Sequence, residues 1–287
     1  MKTLDARTAI QLRNILFSTN FSPGAGVAVR YAAALTKRYG ARLYVVEVQP
    51  PVDWIFTPPG PWQGIEEAAK IDAEREKQKI LASFPEIRPR VFVKRGDVWS
   101  NLAAVIEANE IDLVVIGTSG RSGIAKLFLG STAEEIFRKA ACPVLTIGPH
   151  SPAEPCTDIR TILFATDLKS QSMAAPYAIS LAQEYQACLI LLHVIEPQES
   201  PDRSRFAALL RNLVPTEADL WCCPEFHVER GDAADRILDL AAHRRVDLIV
   251  MGARQLGGFP GAATHLSITT AYKVVSQAPC PVLTLRG

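Results

Sequence analysis

"VKRGDVWSNLAAVIEANEIDLVVIGTSG" (residues 93–120) returns without a gap as "VERGDAADRILDLAAHRRVDLIVMGARQ" (228–255). Each copy opens on a short strand pattern and turns at RGD. It then runs through a helix with apolar residues three and four apart and ends in a nearly continuous apolar run. At the turn, Gly ends the strand and Asp97 or Asp232 is placed to cap the helix. The same tripeptide at the same turn in both copies makes it a structural element, not an adhesion signal. "DLVVIG" and "DLIVMG" have the composition of strands buried on both faces, as in a covered parallel sheet.

The repeat extends in both directions. "LRNILFSTNFS" (12–22) matches "IRTILFATDLK" (159–169), and "ACPVLTIGP" (141–149) matches "PCPVLTLRG" (279–287). In the first copy, five β-rich runs alternate with helical patterns: "NILFS", "RLYVVEV", "RVFVK", "DLVVIG" and "PVLTI". Such alternation predicts right-handed βαβ crossovers. The expected class is α/β, with two tandem open parallel five-stranded sheets and helices on both faces. The expected domains are 1–150 and 155–287, each long enough for its own core. "GPHSPAEPCTD" (148–158), rich in Pro and polar residues, reads as the linker.

Composition excludes several classes. The 287 residues carry a net charge of +1, with 48% hydrophobic and 21% charged, so no polyanionic partner such as nucleic acid is implied. The charged N-terminus does not read as a signal peptide, and no apolar run is long enough to span a bilayer, so the expected location is the cytoplasm. Six cysteines, none in a C-x-x-C spacing, read as free thiols, with Cys222 and Cys223 expected as small strand residues. "KIDAEREKQKI" (70–80) reads as a solvated helix face with opposite charges three and four apart. "PPVDWIFTPPGPWQG" (50–64) interrupts the first copy alone; it reads as a Pro-stiffened surface loop or as a lid over a cleft. His193, in a strand with no ligand partners near it in sequence, reads as a core or rim residue and not as a metal ligand.

The chemistry concentrates after "DLVVIG". The segment "GTSGRSGIAKLFLGST" (117–132) leads from a strand end to a helix start. In an open parallel sheet this rim is where ligands bind. Glycines let a ligand approach main-chain N–H groups, and a helix N-terminus offers unpaired donors, which together make a phosphate cradle. The helix dipole alone contributes about 0.3–1 kcal/mol, whereas micromolar affinity needs about 8, so several charge-assisted bonds of about 1.5–3 kcal/mol each are required. Arg121 and Lys126 are candidates to assist. A ligand-free explanation exists for Ser131, which forms an S-x-x-E capping box with Glu134. It leaves Gly117, Gly120 and Gly130 unexplained as a set.

The spacing Gly117-x2-Gly120-x9-Gly130-Ser131 resembles the ATP-binding motif of the universal stress proteins. "ILFSTN" and "ILFATD", "LLHVIEP", "VDLIVMG" and the final "CPVL" resemble that family elsewhere, over nearly the whole chain. The resemblance implies strand order 3-2-1-4-5, as in adenine-nucleotide alpha hydrolase-like folds, and pairing through the last strands. Here "CPVLTI" and "CPVLTL" would be edge strands, and pairing them with one another would cover both and give a pseudo-dimer with approximate twofold symmetry. It further implies ATP, with Mg as a candidate companion, held by Gly117, Gly120, Gly130, Ser131 and Thr132. Val48 would meet the adenine through its backbone. Asn20 stands where the family has an aspartate, keeping the hydrogen bonds and losing the charge.

The second copy keeps that aspartate, Asp167, but has Gln255 at the position of Gly120. Counting from the strand puts His265 opposite Gly130; counting back from "CPVL" puts Ile268 there. The second copy is therefore expected to be degenerate, unless Gly257, Gly258 and Gly261 build a different cradle. The functional expectation is ATP-linked binding and signalling in a stress response, without dedicated catalysis. The implied partners are an adenine nucleotide, a homodimer and unidentified proteins, and neither nucleic acid nor membrane. The rivals are an adenylating or ATP-hydrolysing α/β enzyme and a scaffold that binds no nucleotide.

Overall fold

The computed structural model describes residues 10–19, 25–49, 62–118, 139–155, 158–168, 174–195, 202–216, 222–253 and 265–286, with isolated positions between them. The first half contains β1 (Asn14–Thr19), α1 (Ala25–Tyr39), β2 (Arg42–Gln49), α2 (Trp62–Ala82), β3 (Arg90–Arg95), α3 (Val98–Ala108), β4 (Leu113–Gly117) and β5 (Val144–Ile147). The second contains β6 (Thr161–Ala165), α4 (Ala174–Tyr185), β7 (Cys188–Ile195), α5 (Arg203–Leu213), β8 (Glu225–Arg230), α6 (Ala233–His243), β9 (Leu248–Ala253), α7 (His265–Gln277) and β10 (Val282–Arg286).

The strands form one ten-stranded sheet in the order β3-β2-β1-β4-β5-β10-β9-β6-β7-β8. Each half has the expected 3-2-1-4-5 order, all parallel. The two halves meet edge to edge through β5 and β10, which pair antiparallel. Leu145 lies opposite Leu283, its own counterpart in the repeat, with Val144 opposite Thr284 and Thr146 opposite Val282. The register is thus symmetric about the Leu145–Leu283 pair, and the open edges expected of the two last strands are both covered. Thr284 Oγ1 adds a bond to the Val144 carbonyl at 3.2 Å across this seam.

Side chains alternate between the two faces of the sheet. One core packs Ile15, Phe17, Val45, Val115, Leu189, Leu191 and Val250 beneath α1, α2, α4 and α5. The other packs Leu16, Val46, Val114, Ile190, Leu192 and Ile249 beneath α3, α6 and α7. Continuous burial of "LVVI" (113–116) follows from coverage on both sides. The solvated face of α2 carries the ion pairs Arg75–Asp72, Lys77–Glu74 and Lys79–Glu76, as its sequence implies.

Duplicated polar details hold the scaffold. Asp97 accepts from Ser100 N at 2.8 Å and Asp232 from Asp235 N at 3.0 Å, so both RGD aspartates are helix caps. Asp112, just before β4, accepts from Arg13 N and Asn14 N at 2.7 and 2.8 Å; Asp247, just before β9, accepts from Arg160 N and Thr161 N at 2.8 and 2.9 Å. One carboxylate thus satisfies two backbone donors at the start of the neighbouring strand. Helices α1 and α4 both end on a left-handed residue, Gly40 (φ 60°) and Gln186 (φ 51°), closing with Ala41 N to Thr36 O and Ala187 N to Ala182 O.

One expectation needs correction. Cys222 and Cys223 precede β8 and are not strand residues, although the five described cysteines are free thiols as expected. The expected linker is also hydrogen-bonded to the first half. Arg30 Nε donates to Ala153 O at 2.7 Å and the Tyr31 hydroxyl to Pro152 O at 3.2 Å, docking it on α1. At its start, a Cβ on Gly148 would lie 3.0 Å from the Val275 carbonyl of α7, a close approach at which a larger residue would have to displace its neighbour.

Candidate functional site at the carboxyl edge of the sheet

In each half the chain reverses its strand order next to the first strand: β1 is flanked by β2 and β4, and β6 by β7 and β9. The crevice at the carboxyl ends of these strands is where an open α/β sheet binds ligands.

In the first half, Gly117 is the last residue of β4, paired with Ile147 and half-buried. Thr118 follows it and is tied down twice: its N–H donates to Ile147 O at 3.0 Å and its hydroxyl to the same carbonyl at 3.3 Å. The root of the glycine-rich segment is therefore fixed to β5. Val48 sits at the end of β2, paired with Lys94 and half-buried on the α3 side of the sheet. Thr19, buried, ends β1. Strand order places the ends of β2, β1 and β4 side by side, which brings Val48, Thr19 and Gly117 to one rim. Asn20, Gly120, Gly130, Ser131 and Thr132 lie outside the described residues, as do Arg121, Lys126, the 50–61 segment and the second-half residues 254–264.

Reading the sequence did not single out Glu47. It is buried at the end of β2 with Oε2 lacking a hydrogen-bond partner. Burial first, and then the charge of Glu76, pushes its carboxyl above the usual range, with Lys79 opposing. Its counterpart in the repeat is His193, 2% exposed, whose Nδ1 lies 3.0 Å from Thr166 O and whose ring packs 4.5 Å from that of Phe206. A donating Nδ1–H leaves Nε2 as an acceptor, and this atom has no partner. Aligning "LYVVEV" with "LILLHV" was the signal available for this pair.

In the second half the rim runs through Thr166, Asp167 and Leu168. Thr166 N donates to Leu192 O at 3.0 Å and Leu168 N to Thr166 Oγ1 at 3.1 Å, with Leu168 in the left-handed region at φ 59°. No group of three or more His, Cys, Asp or Glu able to hold a metal ion exists among the described residues.

The model of the universal stress protein family matches residues 11–148 and again 158–286. The chain belongs to the universal stress protein family. A universal stress protein of Mycolicibacterium smegmatis is 24% identical over 95% of this chain and 96% of its own length. One from Thermus aquaticus is 30% identical over 47% of this chain and 98% of its own, so it corresponds to one half. Among solved structures, a universal stress protein from Archaeoglobus fulgidus superposes with a TM-score of 0.72 at 20% identity, covering 96% of this chain and 99% of that one. This universal stress protein is thus a tandem member, with the two family matches on either side of the docked linker. No helix among the described residues is long and apolar enough to cross a membrane.

Proposed function

We propose that this universal stress protein binds ATP at the carboxyl edge of its first half and acts in a stress response by nucleotide-linked binding, without dedicated catalysis. One observation carries the proposal. Gly117, the first glycine of the Gly117-x2-Gly120-x9-Gly130-Ser131 pattern, closes β4 at the point where strand order reverses. The described rim suits such a ligand. It is neutral, made of strand-end backbone with Val48 and Thr19, and the segment leaving it is anchored at Thr118. The Glu47 carboxyl, which would repel phosphate, belongs to the opposite side of β2 from Val48.

In this reading Gly120, Gly130, Ser131 and Thr132 hold the phosphates through peptide N–H and hydroxyl groups, and Val48 meets the adenine. Asn20 donates or accepts where the family aspartate would accept only. ATP, with or without Mg, would supply a switchable negative charge at that segment. The second half, with Gln255 in place of a glycine, serves as a structural partner.

Native mass spectrometry of the purified chain, followed by ATP titration calorimetry, tests the proposal. One equivalent of ATP or ADP per chain, lost in Gly120→Gln, is the expected result. No nucleotide and no measurable ATP affinity would favour a scaffold, and steady release of an adenylated or hydrolysed product would favour an enzyme. Either outcome overturns the reading.

A further inference from the structure

At the amino edge of the second half, away from the proposed nucleotide rim, two cysteines stand on neighbouring stretches of chain. Cys188 opens β7, and Cys223 lies two residues before β8. The two strands pair in parallel at a constant offset, from Ile190 opposite Glu225 to Ile195 opposite Arg230. Carried back two residues, the same offset sets Cys188 opposite Cys223. Paired strands run about 4.8 Å apart, within the range of about 4.4–6.8 Å between the Cα atoms of a disulfide. The contacts agree with this register. Cys188 Sγ lies 3.4 Å from the Cys223 carbonyl oxygen, and the Cys223 thiol is near enough to act on Cys188 electrostatically. Both are free thiols in this structure.

The two sulfurs differ in access. Cys223 is exposed. Cys188 is half-buried against the core on the α3, α6 and α7 side, with Glu225 Oε1 3.5 Å away. Burial first, and then the Glu225 charge, pushes the Cys188 thiol up to about 11. Cys223 is therefore the sulfur an oxidant reaches, and Cys188 stands behind it. Cys222 does not compete, since it is buried in the other core, beneath α4 and α5. Nor does the fold call for thiols here. Counted through the repeat, Arg42 and Arg88 occupy the two positions in the first half, and both are exposed.

We propose that Cys188 and Cys223 form a redox site, in which hydrogen peroxide oxidises Cys223 and Cys188 resolves it to a disulfide that staples the entry of β8 to β7. The Cys223 thiolate attacks one peroxide oxygen. An S–O bond forms, the O–O bond breaks, and the hydroxide that leaves takes up the thiol proton. Cys188 then attacks the sulfenic sulfur. The S–S bond forms, the S–O bond breaks, and the hydroxyl departs as water with the Cys188 proton. Two thiols and one peroxide thus give one disulfide and two waters. Strand β8 ends the sheet order and pairs with β7 alone. The disulfide fixes this outer edge, and a thiol reductant releases it.

Peroxide treatment of the reduced full chain, followed by thiol counting and peptide mapping without reductant, tests it. Two of the six thiols should be lost, in one Cys188–Cys223 link that dithiothreitol reverses. Amides of β8 should exchange more slowly in the oxidised chain. Cys188→Ser should stop at a Cys223 sulfenic acid that dimedone traps. Cys223→Ser should form no link, and Cys222→Ala should form it as the native chain does. The native map stands by itself where a variant fails to fold. A chain that keeps all its thiols would overturn the proposal, as would a Cys222–Cys223 link, a link between chains, or oxidation of Cys223 without a link. So would a Cys188–Cys223 link that forms as fast in the urea-unfolded chain, because it would owe nothing to the strand register.

Discussion

Glu47 and His193 hold the same place in the two halves, at the carboxyl end of the strand beside the first, yet they are kept differently. Each leaves one buried polar atom without a hydrogen-bond partner, Glu47 Oε2 and His193 Nε2, but the His193 ring is also held by the Thr166 carbonyl and by a tilted contact with Phe206. At the opposite edge the halves agree almost atom for atom: Asp112 and Asp247 each clasp two backbone N–H groups of the neighbouring strand. The amino edge is a duplicated support, and the carboxyl edge is where the copies have diverged. Strand-end loops tolerate change that the clasped strand starts do not, and the proposed division assigns the ligand to one copy and scaffold to the other.

The largest expected effect tests that division directly. Gly120→Gln, which copies the second half into the first, should lower ATP affinity about a hundredfold by blocking two or more charge-assisted bonds. Gln255→Gly should not create a second site, since further glycines of the pattern are missing. Calorimetry showing unchanged affinity for the first variant would end the proposed asymmetry.

The clasps should behave alike. Asp112→Ala and Asp247→Ala should each cost about 2–3 kcal/mol, for two lost bonds to a charged acceptor, by urea denaturation. A clear difference between them would show that the supports are not equivalent.

Smaller effects separate the outer strands. Glu225 at the start of β8 takes a bidentate contact from Arg244, at 2.6 and 2.5 Å, and the first half has Arg90 in its place, over Tyr44. The Arg244 hydrogen bonds hold the Glu225 carboxyl at about 2. Its folded pKa lies below the unfolded value, so its contribution is full above about pH 4.5 and is lost as pH falls through the folded value. The side chains are a third exposed, so screening limits the effect: Glu225→Gln should cost about 1 kcal/mol at pH 7 and almost nothing at pH 2. Equal cost at both pH values would refute the charge-assisted origin. Last, Gly40→Gln should destabilise by about 0.5–1 kcal/mol, because the left-handed position tolerates a side chain at a cost already borne at Gln186; Gln186→Gly should gain a similar amount. Thermal denaturation of the two variants checks the opposite signs.

Much of this was legible from residues alone. Strand runs, helix periods and the RGD caps follow from local pattern repeated twice, set by side-chain chemistry a few residues apart, whereas the 3-2-1-4-5 order came from the family resemblance. Cys222 and Cys223 misled because two small apolar residues look alike in a strand and before one. Gly117 was legible at the first-half rim because the continuous apolar run of β4 ends on it.

What the sequence by itself determined is the duplicated α/β plan, the capped turns and the half that carries the glycines. Only the tertiary structure decided that β5 and β10 join in register about Leu145 and Leu283, that the linker lies fixed on α1, that Asp112 and Asp247 clasp strands about a hundred residues away in sequence, and that a cavity opens between α1 and α4. These depend on which groups meet across long loops, and a one-dimensional pattern carries no term for the partner a buried donor will find.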